Sequence, residues 1–167
     1  PGRLRRPGPG TNYPEPGSTG SPEHRYPKPA SDTYGVDVTR IGPTHYRATN
    51  EEGASLDFGR GEGLLTPVEL LLAAVAGCSA VDVDVVTSRR AEPEAFDVHV
   101  EGTRVDEGGA ARLSDVEVGF TLRFPDTPEG RQAQSMVDNL IRISHEKDCT
   151  VSRTVEHPTN VRFLNQS

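Results

Sequence analysis

T-P-V-E-L-L-L-A-A-V-A-G-C-S-A-V-D-V-D-V-V-T-S, residues 66–88, is the stretch that decides the fold. Thr66 offers a hydroxyl at the N-cap, and Pro67 a ring already at helical φ for the first position. Glu69, three residues past the cap, can return its carboxylate to the Thr66 amide, completing a capping box. The pattern predicts a helix from Pro67 to about Ser88, with Arg89 and Arg90 near its negative end. Leu70, Leu71, Leu72, Val75, Val81, Val83, Val85 and Val86 surround the axis instead of forming one stripe, so the helix is expected to be central and mostly enclosed by protein. Gly77 and Cys78 stand in its middle, where a helix core would usually take neither residue.

Short alternating runs precede this helix. Val36, Val38 and Ile41 lie near strand spacing, G-P-T at 42–44 reads as a turn into H-Y-R-A-T, and a further strand is expected around Ala54 to Phe58. The glycines of G-R-G-E-G at 59–63 form a loop, because no lysine follows to make a phosphate-binding motif. After the helix, Phe96, Val98 and Val100 alternate with Asp97, His99 and Glu101. Beyond a D-E-G-G turn, Val116, Val118, Phe120, Leu122 and Phe124 alternate in the same way, which predicts a hairpin with one apolar face. A second helix is expected from Thr127-Pro128 through Met136, Val137, Leu140, Ile141 and Ser144, and a closing strand at N-V-R-F-L, residues 160–164. The order βββ-α-ββ-α-β is α+β, with helices on one side of an antiparallel sheet.

Composition divides the chain in two. Residues 1–30 hold almost no aliphatic side chains and much Pro, Gly, Ser and charge, too little apolar area to offset the entropy of ordering. Residues 1–32 are expected to be a flexible extension without the apolar segment of a secretory signal, and residues 33–167 the folded domain. A net charge of -7 sets the chain against nucleic acid as a partner. The longest apolar run, Val68 to Ala80, has the length of a buried helix, below the roughly 18 residues of a bilayer span, so no membrane partner is expected.

The two cysteines, Cys78 and Cys149, are 71 positions apart and lack metal-ligand spacing, and the histidines sit in no ligand pattern; no metal or cofactor is expected. With no secretion signal, two thiols point to a reducing, cytoplasmic compartment, where a disulfide between them would be transient and functional. Cys78 can be read as an ordinary small core residue or as a reactive thiol. Reactivity needs a thiolate, and Cys78 lies about eleven residues into its helix, too far in to feel the helix dipole strongly. Asp82, one turn on, would oppose ionisation. An activating cation is therefore expected from elsewhere, with Arg40, Arg47 and Lys147 as candidates. Glu69 is nine positions before Cys78, on the opposite side and roughly 13 Å along the axis, so it can serve that thiol only from a second, antiparallel copy. His145 and Glu146 are sequence neighbours near Cys149, and their side chains diverge by about 100° on a helix, which argues against a Cys/His/acid triad.

T-P-V-E-L-L-L-A-A-V-A-G-C-S-A-V-D-V, followed some seventy residues later by I-S-H-E-K-D-C-T-V, resembles the OsmC/Ohr family of osmotically inducible and organic hydroperoxide resistance proteins, over about residues 35–165. The P-x-E-L and C-S-A-x-D-V signatures place the resemblance closest to its OsmC-like branch. It implies an intertwined α+β homodimer with paired central helices and shared active sites. It further implies a thiol peroxidase acting on organic hydroperoxides in oxidative stress defence, with Cys78 peroxidatic, Cys149 resolving and a dithiol as reductant. In the family an acid directly follows the helix-start proline and pairs with an arginine of the N-terminal strands. Here Val68 holds that position, the acid is Glu69, and Arg40 and Arg47 are the arginines in reach by sequence. The other reading is a non-enzymatic protein that binds a small apolar or sulfur-bearing ligand in the cleft beside the central helices.

Overall fold

Strands β1 (Val36–Gly42), β2 (His45–Asn50) and β3 (Ser55–Gly59) form an antiparallel meander, and helix α1 (Pro67–Thr87) follows it in the computed structural model, which describes residues 33–167. The expected extension over residues 1–32 lies outside the described residues. After α1 come strands β4 (Ala95–Glu107) and β5 (Ala110–Arg123), helix α2 (Pro128–Ile143), a π-helical turn at Ser144–Asp148 and a short helix α3 (Thr150–Glu156). The α+β class holds. The strands build two separate antiparallel sheets, of three and two strands, instead of one.

Two expectations need correction. No strand forms at residues 160–164: the chain beyond Glu156 has no regular structure, and Val161, Phe163 and Leu164 stand in solvent. Beta propensity without a neighbouring strand edge leaves such a segment unpaired, since sheet stability comes from cross-strand partners. The last regular element, α3, ends before it. Nor do the described residues of one chain enclose α1. Val75, Ala76, Ser79, Val83 and Thr87 are buried, while Val68, Leu71 and Val85 are exposed. Hydrophobic residues on every side announce burial without saying whether the same chain supplies it.

The capping box at the start of α1 is complete. Thr66 N–H donates to Glu69 Oε2 at 2.7 Å, and Glu69 N–H donates to Thr66 Oγ1 at 3.3 Å. At the other end the buried Thr87 hydroxyl bonds back to Val83 O at 3.0 Å, and Ser88 caps the helix. By length and hydropathy α1 reaches the range of a membrane span, with a mean hydropathy of 1.8, contrary to the sequence expectation. The same length and composition describe the core helix of a globular fold, and α1 packs against β4, α2, the π-turn and α3.

The β4–β5 hairpin has the expected register. Phe96 faces Leu122, Val98 faces Phe120 and Val100 faces Val118, so the half-buried side chains of both strands share one face. Its two-residue turn, Gly108-Gly109, takes φ of 65° and 87°, as a tight hairpin reversal requires. A bulge at Glu101/Thr103 lets α1 settle onto the sheet: a Cβ at Gly102 would lie 3.3 Å from Val116 and 3.4 Å from Leu72. At the far end Phe124, Ala133 and Val137 form the buried cluster under α2, joined by Leu122, Ala91 and Ile141. In the other sheet, Asp57 on β3 takes a bidentate pair from Arg47 at 2.6 and 3.0 Å and a third contact from His45 at 3.0 Å. The hydrogen bonds from Arg47, with those from His45, hold its carboxyl down at about 2.

Val83→Ala should lower the free energy of unfolding by about 2 kcal/mol, from two buried methyl groups and the cavity they leave. A lower urea midpoint at unchanged slope is the expected readout. Because the folded Asp57 carboxyl lies below its unfolded value of 3.8, its contribution is present above that pH and is lost as pH falls toward about 2. Asp57→Asn should flatten the acid dependence of stability across that window, measured by denaturant unfolding at stepped pH.

Candidate functional site

Cys78 lies on the half-buried side of α1, one turn before Asp82. Cys149 comes to it from the far end of the domain. α2 carries the chain back along α1, and a widened turn then ends it: the Cys149 N–H donates to Ser144 O at 2.8 Å, a five-residue span. That turn is tied to α1 by the Ser144 hydroxyl, which donates to Asp82 Oδ2 at 2.7 Å. Ser144 itself is 1% exposed. The bond crosses 62 positions of sequence and gives Asp82 a structural partner next to the thiols.

Cys149 is completely buried and serves as the N-cap of α3. Its sulfur accepts the Ser152 N–H at 3.3 Å, and the Ser152 hydroxyl lies 3.1 Å away. A hydroxyl can receive the thiol proton or turn to donate to a thiolate. Burial by itself pushes the Cys149 thiol up. The Ser152 hydroxyl and amide, the Ser79 hydroxyl and the Cys78 thiol outweigh it, and the thiol ends below its ordinary value. For Cys78 the balance is reversed. Burial pushes it up, the Val151 amide facing it pulls it down, and the neighbouring Cys149 and Asp82 push it up again, leaving it above the ordinary value. The two thiols act on each other, so one ionisation opposes the other.

The remaining candidates are elsewhere. Glu69 spends its carboxylate on the cap of α1, where Oε2 also accepts the Thr66 hydroxyl at 2.8 Å, and the Thr66 amide and hydroxyl hold its carboxyl below the usual range. Arg47 is occupied by Asp57 on the meander. Arg40 stands opposite Tyr46 at the exposed end of β1. Lys147 lines a shallow cleft on the outer side of α3 with Thr150, Arg153, Thr154, His157 and Thr159. Among the described residues, no cation acts on either thiol. What surrounds the sulfurs is a set of neutral donors, Ser79, Val151 N–H and Ser152. Ser152 had a sequence signal: C-T-V-S places it three residues after Cys149, the spacing at which a cap and its third helical residue meet. Ser79 and Val151 had none, because their relation to the sulfurs exists only across the helix contact. His145 and Glu146 do not assemble a triad: His145 lies 3.6 Å from Glu156 on the surface, and Glu146 pairs with Arg142 at 2.7 Å.

Residues 59–163 match the OsmC-like protein family. Comparison with curated proteins gives no significant match. Solved structures share the architecture at low sequence identity. An OsmC-like protein of unknown function from Vibrio cholerae is 15% identical, with 75% of this chain and 95% of that one aligned at a TM-score of 0.60. A hypothetical protein from Aquifex aeolicus is 21% identical over 75% and 89% of the two chains, at 0.59. An OsmC-like protein from Mycoplasma pneumoniae is 13% identical over 74% and 87%, at 0.57. The family match covers most of the chain, including both cysteines and all of α1, and the shared fold agrees with it: this chain belongs to the OsmC-like protein family.

Proposed function

We propose that the chain is a thiol peroxidase that reduces organic hydroperoxides through Cys78 and Cys149 in oxidative stress defence. The observation that carries this reading is that two free thiols 71 positions apart in sequence, Cys78 partly open and Cys149 sealed, come near enough to act on each other's ionisation. Cys78 is the sulfur a substrate can reach. Its thiolate attacks the O–O bond, taking one oxygen as sulfenic acid and releasing an alkoxide that is protonated to the alcohol. Cys149 then condenses with the sulfenic acid, expelling water and leaving a disulfide, and a dithiol reductant restores both thiols. A thiol cycle of this kind suits a reducing cytoplasm.

A homodimer with shared active sites belongs to the same proposal. Val68, Leu71 and Val85 are exposed on α1, and a Cβ at Gly77 would meet, its chain neighbours and own helix backbone aside, no atom of the described residues within 4 Å. The meander adds Val36, Val38 and Leu56, all half or more exposed. Apolar surface on this scale marks an interface, and a second α1 lying on the first would use the small residues around Gly77 for close approach. Glu69 and the meander arginines could then reach a thiol only from the partner copy.

Titrating the reduced protein with an organic hydroperoxide should remove two free thiols per chain, and Cys78→Ala should abolish the loss. Thiols that survive excess peroxide unchanged would sink the peroxidase reading. Sedimentation equilibrium should give about twice the 18.0 kDa chain mass, with Leu71→Glu weakening the association; an 18.0 kDa species for the unmodified chain at micromolar concentration would count against the dimer.

A further inference from the structure

We propose that Asp82 and Ser144 are positioning residues for the thiol pair: the hydrogen bond between them seals Cys149 against α1 beside Cys78 and so governs how readily the two sulfurs close a disulfide. The disulfide consequence rests on the peroxidase reading above; the sealing of Cys149 does not.

Helical spacing puts one half of this latch on α1. Val75, Cys78, Ser79, Asp82 and Val83 recur at three and four residues, so Asp82 shares the inward side of the helix with Cys78, one turn further on. A carboxylate on that side needs a partner, because a partly buried charge is costly without one. The partner comes from the far segment, where the Ser144 hydroxyl donates to Asp82 Oδ2 at 2.7 Å. Ser144 is buried, His145 to Asp148 are exposed, and Cys149 is buried again. The exposed residues do not tether the turn to α1, since Glu146 pairs with Arg142 and His145 faces Glu156. The two buried ends are joined by their own backbone, Cys149 N–H to Ser144 O at 2.8 Å, so fixing Ser144 fixes where Cys149 begins.

Two apolar side chains would bury the same contact without desolvating a carboxylate, but apolar attraction is non-directional and tolerates sliding. A hydroxyl-to-carboxylate bond is short and directional and holds one geometry. Direction matters at this turn. One residue of slip would rotate Cys149 by about 100° around the helix axis and carry its sulfur off α1. The Ser152 amide and hydroxyl, at 3.3 and 3.1 Å, orient the sulfur within α3 and do not tie it to α1. The Ser79 hydroxyl acts on the sulfur from α1, through the weak acceptor that sulfur offers. The Ser144 bond to a carboxylate is of the stronger kind. Disulfide closure is favoured by the fraction of time that Cys149 stands within bonding reach of Cys78, and this bond raises that fraction.

The first test requires no disulfide. A sealed sulfur is alkylated only through local opening. In a Cys78→Ala background, Ser144→Ala should speed iodoacetamide labelling of Cys149 by about tenfold, as loss of a bond to a charged group implies. Asp82→Ala should match it, and the double variant should add nothing further. Asp82→Asn keeps an oxygen to accept the hydroxyl and should label at nearly the unmutated rate. Val137→Ala, which loosens the cluster under α2, should leave the labelling unchanged. A rate that Ser144→Ala does not alter, or that Val137→Ala raises equally, overturns the proposal. The second test keeps both cysteines and equilibrates the protein with glutathione. Its two thiols give two electrons and two protons to glutathione disulfide, which leaves as two glutathione thiols. The equilibrium constant should be about tenfold lower in Ser144→Ala and in Asp82→Ala than in the unmutated protein; an equal constant overturns the proposal. If the unmutated protein forms no Cys78–Cys149 disulfide at any glutathione ratio while the labelling responds as expected, the paired-thiol reading falls and the latch stands.

Discussion

The packing of α1 is the constraint on which the rest of the domain depends. β4 meets it at Leu72 across the bulge at Gly102, α2 runs back along it, and the turn at Ser144 is bonded to Asp82 on its surface. Cys149 is the residue directly after that turn. Its position beside Cys78 thus follows from where α2 must end in order to cover α1, and the Ser144–Asp82 hydrogen bond sets that endpoint. Widening the last turn to a five-residue bond brings the Cys149 backbone around to begin a new helix, so the sulfur that faces α1 is also an N-cap.

The electrostatics of the pair differ from the activation by a nearby cation that the sequence suggests. A sulfur can be ionised by an opposite charge or by several neutral donors aimed at it. Here Arg47 is spent on Asp57 and Glu69 on its own helix cap, while two serine hydroxyls and the Ser152 amide act on Cys149. Neutral donors carry no long-range field, so salt should screen the ionisation of the pair little. The capping box and the Arg47–Asp57 pair are accordingly best understood as structural within one chain. Residues of one protomer can take a different role in the site of another only through contacts that a single chain does not hold.

The elements were largely legible in the sequence, for local reasons. T-P-V-E carries its helix start in four residues, and the alternation of Phe96, Val98 and Val100 against Val116, Val118 and Phe120 fixes both the hairpin and its face. The closing strand expected at residues 160–164 does not form, and one chain leaves part of α1 open, because apolar side chains report a need for burial, not the identity of the partner. Val161, Phe163, Val68 and Leu71 remain exposed in one chain for that reason.

What the sequence by itself determined is what short-range physics controls: the helix bounded by Thr66 and Ser88, the hairpin register, the α+β order and the two thiols as the candidate chemistry. Only the tertiary structure decided which donors meet which sulfur. Ser79 acts on Cys149 and the Val151 N–H on Cys78 across a helix contact between segments some seventy residues apart, whereas Ser152 and Asp82 are local neighbours of the sulfurs they act on. Hydrogen bonds and desolvation act over a few ångströms in space, and no local pattern encodes them when the groups they join come together only on folding.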